Sequence, residues 1–513
     1  MNTATKLAGV LVFVVLATAN SGGYRYGVSD QAFYLPAVNH HLTPELFPRD
    51  APLLDAQARL ITSDELMAAA VKTTGLSLPM VAAILYVLTL VLLIASAAGF
   101  TRGLGYSWWA VTLFGILLTF RHRIAKTGAN SLEGYMHPRE MAFAIGIASL
   151  ACLVRGRHAL ALGLVAASAV LHPTTAAFFG LVVGVAALDR YVARPGSYVA
   201  RPRPNVARPA PQGRETTRAL GLIAAAAAVL LAAVALWALV YGPLSGRLGT
   251  MDAEWLQVFA EKDYLFPAQW PIDAWLINLA YPVIIFAMWR ARVRRDLAGP
   301  NERGLVIGLM ASVVFFLVSV PFTMAEVALA VQLQITRVFW ILDFVAIASI
   351  AWWLTQSRRV AMVAIGVCLV GSAARGYYLL EVDQPDRQLV RLNLPDTPWM
   401  DAMRWLETQP SHWHVLADPG HAWKYGISVR VGANRDTLIE SVKDSAIAIY
   451  DRTIAMRVAD RVFFTNDYDQ MSTARVRMLD EKYDLDVAVV TAGSALDLPL
   501  LYRNAEFAIY DVR

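Results

Sequence analysis

Long apolar runs, broken by short charged or turn-forming stretches, fill most of the first 376 residues. A helix needs about 20 predominantly apolar residues to cross the hydrocarbon core of a bilayer. By that measure spans are expected near residues 5–20, 79–100, 105–120, 139–154, 157–171, 173–189, 219–242, 272–290, 304–323, 335–354 and 359–374. Several are short, and only His172 and Pro173 separate the fifth from the sixth, so ten or twelve crossings stay open. Beyond residue 376 the pattern changes. Helical spacing covers 399–407, preceded by the cap candidates Asp396 and Thr397, and then 437–459 and 473–483. Strand-like runs lie at 414–417, 462–465, 487–491 and 507–512. The expected fold is a membrane all-α bundle of about 11 transmembrane helices over 1–376, followed by a soluble α/β domain over 377–513.

Composition agrees with that division. Of the 513 residues 57% are hydrophobic and 17% charged, and the mean hydropathy of +0.46 exceeds that of water-soluble domains. Residues 377–513 carry 15 Lys and Arg against 21 Asp and Glu, and residues 1–376 carry 30 against 19. The basic excess therefore sits between spans, and no nucleic-acid partner is expected. Cys152 and Cys368 both fall in apolar runs, so no disulfide framework is expected.

Orientation follows from the arginine-rich loops. With the N-terminus in the cytoplasm, 101–104, 155–158, 190–218, 291–303 and 356–359 lie inside, as the positive-inside rule requires. The 377–513 domain then lies outside the cytoplasmic (inner) membrane. The 190–218 loop repeats Val-Ala-Arg-Pro from Val192, Val199 and Val206, and its prolines favour a disordered cytoplasmic linker over a helix. Lys6, the apolar run 7–17 and Ala17-Thr18-Ala19 resemble a signal peptide with a cleavage site, but are read first as a retained span; either way the next loop is outside.

The outer loops carry the chemistry. The first, 21–77, is too long for a simple connector and is patterned as amphipathic surface helices at 31–41 and 55–72. It opens with Gly27-Val28-Ser29-Asp30-Gln31-Ala32-Phe33-Tyr34-Leu35-Pro36 and continues to Leu46-Phe47-Pro48-Arg49-Asp50. Here the sequence resembles the GT-C superfamily, membrane glycosyltransferases that use polyprenyl-phosphate sugars and keep an acid in the first extracytoplasmic loop. Gln31 follows Asp30 where relatives often pair two acids, which leaves the acceptor and any divalent cation open. Asp30 also reads as a plain helix N-cap.

A second outer segment, 121–140, breaks the positive-inside trend with Arg121, Arg123, Lys126 and Arg139. Guanidinium forks bind phosphate oxygens, so an anionic ligand would account for them, as would ordinary lipid headgroups. Arg337, at the outer start of the tenth span, is placed to join a phosphate pocket, with Gln334 nearby; Asp343 lies deeper and reads as structural. Glu133, His137 and His172 are secondary pocket candidates, and the two histidines have no metal-ligand spacing. No Gly-rich phosphate loop follows any expected strand, so no nucleotide cofactor is expected.

The resemblance implies transfer of a sugar from a polyprenyl-phosphate-linked donor to an acceptor hydroxyl of a glycan, lipid or protein at the outer face. Asp30 would be the base, and Arg121, Arg123, Lys126, Arg139 and Arg337 the phosphate ligands. A non-catalytic transporter of lipids or lipid-linked sugars would use the same cations without Asp30, but would be expected to have pseudo-symmetric halves. A scaffold for envelope glycan assembly is the third reading.

Overall fold

The computed structural model describes residues 2–58, 61–192, 236–242, 244–385 and 387–513. It is mostly helical. Among the described residues, six helices are long and apolar enough to cross a membrane: Thr3–Asn20, Leu78–Gly103, Ile272–Arg294, Glu302–Met324, Ala328–Leu354 and Arg358–Val382. The apolar helices Trp108–Leu118, His158–Leu171 and Pro173–Asp189 are shorter, as is Pro138–Val154. The span expected at 219–242 and the linker at 190–218 fall almost wholly outside the described residues.

Local chemistry sets the helix ends. Asn2 caps Thr3–Asn20 by accepting from the Thr5 amide at 2.8 Å, and Ser107 caps Trp108–Leu118. Prolines open Leu78–Gly103 and Pro138–Val154, where a missing amide hydrogen costs nothing. Without water to compete, close packing holds such helices together, and small residues permit it. A Cβ on Gly308 would stand 2.3 Å from the Val182 carbonyl oxygen, and one on Gly146 as near to the Phe179 ring. Phe143 stacks on Trp340 at 3.9 Å and meets Phe344 edge-on at 5.8 Å, so the helix Val338–Leu354 runs through the centre.

Beyond the helices, residues 414–511 contain a five-stranded sheet. Asp436–Thr437, His414–Leu416 and Val487–Thr491 run parallel, and Phe507–Asp511 and Leu500–Arg503 continue it antiparallel. The expected strands at 414–417, 487–491 and 507–512 form, whereas 462–465 is helical. Asp451 accepts from the Thr453 and Ile454 amides and starts the helix Arg452–Thr465, which buries Ile454, Ala455 and Val458 on one face. The helix expected over 437–459 is interrupted: Thr437 pairs with Val415, and helices Ser441–Ala448 and Arg452–Thr465 follow. In the first loop, 55–72 likewise divides into Ala51–Ala58 and Ser63–Thr74.

Two joints tie this part to the helices. Tyr24 and Arg25 pair in parallel with Val390 and Arg391, next to Gly23 at φ +80°, where a Cβ would meet the Gln388 carbonyl oxygen at 2.4 Å. The second joint is ionic and buried. Asp50 accepts from Arg430 Nε at 2.7 Å, from the Thr437 amide at 3.1 Å and from Arg457, while Arg430 forks onto Asp444 at 2.6 and 3.0 Å.

Candidate active site

These joints bring the sheet-containing part against one end of the helices, and a cavity of about 550 Å³ lies between them. Asp30 borders it. The residue stands at the start of Gln31–Leu42 but makes no capping bond with its side chain. Its Oδ1 instead accepts from Lys443 Nζ at 2.8 Å, and its Oδ2 accepts from His137 Nε2 at 3.2 Å and the Tyr135 hydroxyl at 3.5 Å. His137 Nδ1 accepts the Arg139 amide at 3.1 Å, which places the imidazole proton on Nε2, facing Asp30. Burial works against ionisation of Asp30, but the Lys443 charge and the His137 hydrogen bond outweigh it and hold the carboxyl well below its usual range. Burial and the neighbouring Arg139 in turn lower His137, which stays a neutral donor at pH 7.

Cations line the same cavity. Arg139, buried in the first turn of Pro138–Val154, lies over the Trp340 ring at 5.7 Å and reaches Glu133 and the Gly128 carbonyl at 3.5 Å. Arg337 lies over the Tyr264 ring at 5.8 Å. The Nε of each is buried with no hydrogen-bond partner, as is Gln334 Oε1. A buried donor left unmatched is unfavourable, and two of them on guanidiniums facing one cavity fit an anion. Arg247, held by Gln332 at 2.6 Å, and Lys262 complete the cationic lining.

Of the residues singled out from the sequence, Asp30, His137, Arg139, His172 and Arg337 meet at this cavity. His172 also caps Pro173–Val192, its Nδ1 accepting from Thr175 Oγ1 at 2.9 Å. The other four do not line it. Arg121 is engaged by Glu133 at 3.3 Å and by the Leu132 carbonyl at 2.9 Å. Glu133 is buried between Arg121 and Arg139 and acts as their counter-ion. Arg123 is exposed on the short hairpin it forms with Asn130, and Lys126 pairs with Asp263. Asp343 bonds His122 at 3.1 Å, away from the cavity.

Lys443, Lys262, Arg247, Tyr264 and Tyr450 were not singled out by the sequence. Arg247 and Lys262 carried a readable signal, being cations in a loop expected outside. Lys443 carried none, because only docking brings it to Asp30. That docking runs through its neighbour: Asp444, on the same helix, binds the buried Arg430, and Arg430 binds Asp50 of the first loop.

Glu440 caps this helix by accepting from the Lys443 amide at 2.8 Å. Burial, and then Asp444, push its carboxyl up to about 7. A raised acid stabilises the fold fully below its unfolded pKa of about 4.3, and the contribution is lost as pH rises through about 7. Asp436, raised to about 6, and Asp64, raised to about 7, act in the same direction. His414 and His421, lowered to about 4, oppose them only below about 6.5. The protein should therefore unfold at a lower temperature at pH 8 than at pH 6.5. Glu440→Gln should shrink that difference, and melting curves of both proteins across this range check it.

Comparison with known proteins found no matching family model and no matching curated protein. Solved structures do match. The Archaeoglobus fulgidus oligosaccharyltransferase in its apo form has a TM-score of 0.47 at 12% identity, over 94% of this chain and 69% of that one. The same enzyme complexed with Zn and sulfate has a TM-score of 0.45 at 12% identity, over 94% and 68%. In complex with an inhibitory peptide and a dolichol-phosphate it has a TM-score of 0.38 at 12% identity, over 96% and 70%. These neighbours are members of the GT-C superfamily. With every one of these TM-scores below 0.5, the likeness is distant.

Proposed function

We propose that this chain is a GT-C-type glycosyltransferase of the cytoplasmic membrane, moving a sugar from a polyprenyl-phosphate-linked donor to an acceptor hydroxyl at the outer face. In this reading the N-terminus is inside, about 11 helices span the bilayer within 1–376, and 377–513 lies outside. The observation that carries it is one cavity lined by an ionised carboxylate, Asp30, and by two guanidiniums whose buried Nε donors lack partners.

Arg139 and Arg337 bind the donor phosphate through those free donors, and the Trp340 and Tyr264 rings hold the guanidinium planes in place. The acceptor hydroxyl attacks the anomeric carbon as the bond from that carbon to the phosphate oxygen breaks. The bonding pair leaves on the phosphate, where the arginines stabilise the new charge without proton transfer. The hydroxyl proton passes to Asp30. Because Asp30 is a weak base, this transfer coincides with C–O bond formation, when the attacking oxygen becomes acidic. His137 fixes the carboxylate from the other side. One carboxylate suffices, and attack opposite the phosphate inverts the anomeric centre.

The residues around Asp30 do not fit a divalent cation. An ammonium already sits on Oδ1, and the only His, Cys, Asp or Glu group with metal-ligand geometry among the described residues lies elsewhere.

The test is a transfer assay in membranes with labelled polyprenyl-phosphate sugars, comparing wild type with Arg139→Ala and Arg337→Ala. Each variant loses a charge-assisted hydrogen bond of about 1.5–3 kcal/mol, so donor KM should rise by roughly 10- to 100-fold. A wild type that binds donors but yields product with none would favour the transporter reading. Unchanged donor KM in both variants would remove the phosphate assignment.

A further inference from the structure

The helix that begins beside Asp30 ends at a second cluster. His41 stands in its last turn, and Asp64 and Glu65 stand in the first turn of Ser63–Thr74. One ligand atom from each of the three lies within 4.8 Å of the others. Asp64 is the anomaly: the residue is 1% exposed, yet neither carboxylate oxygen has a hydrogen-bond partner. His41 Nε2 stands 3.5 Å from Asp64 Oδ2. Lys72 is spent on the His41 carbonyl at 2.9 Å. A buried carboxylate without donors must be neutralised by a proton or a cation.

We propose that His41, Asp64 and Glu65 bind a divalent cation of the zinc class, clamping two helices of the first loop at a site separate from the Asp30 cavity. Ligands about 2.1 Å from a tetrahedral zinc lie roughly 3.4 Å apart, which the His41–Asp64 separation already matches. Glu65 is exposed and His41 half-exposed, so small rotations close the third side and the ion enters from solvent. One imidazole with two carboxylates suits zinc or manganese better than calcium, which takes six or more oxygens. The site does not depend on the glycosyltransferase reading.

The test uses the full chain in detergent, stripped with chelator and titrated separately with Zn²⁺, Mn²⁺ and Ca²⁺, with binding followed by calorimetry and stability by thermal melting. Expected are one Zn²⁺ per chain, a higher Tm that chelator reverses, weaker Mn²⁺ binding and no saturable Ca²⁺ binding. Asp64→Asn and, on the exposed side, Glu65→Gln should each weaken Zn²⁺ more than about tenfold, as loss of a ligand requires. Absence of saturable Zn²⁺ binding in wild type would overturn the proposal. Equal affinity in both variants would do so as well, and would leave a proton shared between Asp64 and Glu65 as the neutralising partner.

Discussion

Asp30→Asn is expected to lower kcat by roughly 10²- to 10⁴-fold, the range that a positioned general base supplies. The amide keeps the size of the carboxylate but cannot accept the hydroxyl proton, and it leaves Lys443, 2.8 Å away, without its counter-charge. Donor binding should survive, because the phosphate ligands Arg139 and Arg337 belong to other elements. Initial rates at saturating labelled donor, together with a donor-binding titration, separate the two effects. If turnover survives in the asparagine variant, Asp30 is not the base. Lys443→Met is a useful companion. It removes the main charge that holds Asp30 low, so the acidic limb of the rate profile should move upward in pH; the pH dependence of kcat/KM measures this.

The second large effect is on folding. Asp50→Ala should destabilise the protein by about 3–5 kcal/mol, because it leaves the fully buried Arg430 with only one of its two carboxylates and Arg457 with none of its carboxylate partners here. Asp50 also accepts from the Thr437 amide at the edge of the sheet, so the first loop and the sheet should loosen together. The Arg430 and Arg457 charges hold its carboxyl well below the usual range despite burial. The sign follows: this contribution is present above the unfolded pKa of about 3.9 and is lost only as pH falls further. Denaturant unfolding at neutral pH gives the magnitude. A surviving fold should also transfer sugar slowly, since Asp444 sits beside Lys443 on the helix that Arg430 anchors.

Much of the fold was legible because a bilayer leaves few choices. Among the described residues, apolar runs became helices near the expected positions, from Thr3–Asn20 to Arg358–Tyr377, and six of them are long enough to cross. The sheet-containing part was harder to read. Val462, Phe463 and Phe464 look like strand residues by type, yet they end a helix whose register is set from its cap at Asp451. In the candidate site, charges out of place were informative: Arg139 breaks the charge rule in a loop expected outside, Arg337 is a cation at the start of an apolar span, and both reach the cavity. Arg121 and Lys126 broke the same rule for another reason, since each has an acidic partner, Glu133 and Asp263, brought close only by folding. Lys443 shows the limit most clearly. Its place beside Asp30 is created by Asp50, Arg430 and Asp444, three charges scattered over nearly 400 residues whose pairing no local pattern encodes.

The most direct measurement is a structure of the full chain with a polyprenyl phosphate bound. The phosphate should lie in the cavity within hydrogen-bonding reach of the Nε atoms of Arg139 and Arg337, with Asp30 across from it and open to an acceptor. A phosphate resting instead on Arg123 at the exposed hairpin, or at the arginine-rich loops of the opposite side, would contradict the proposed site.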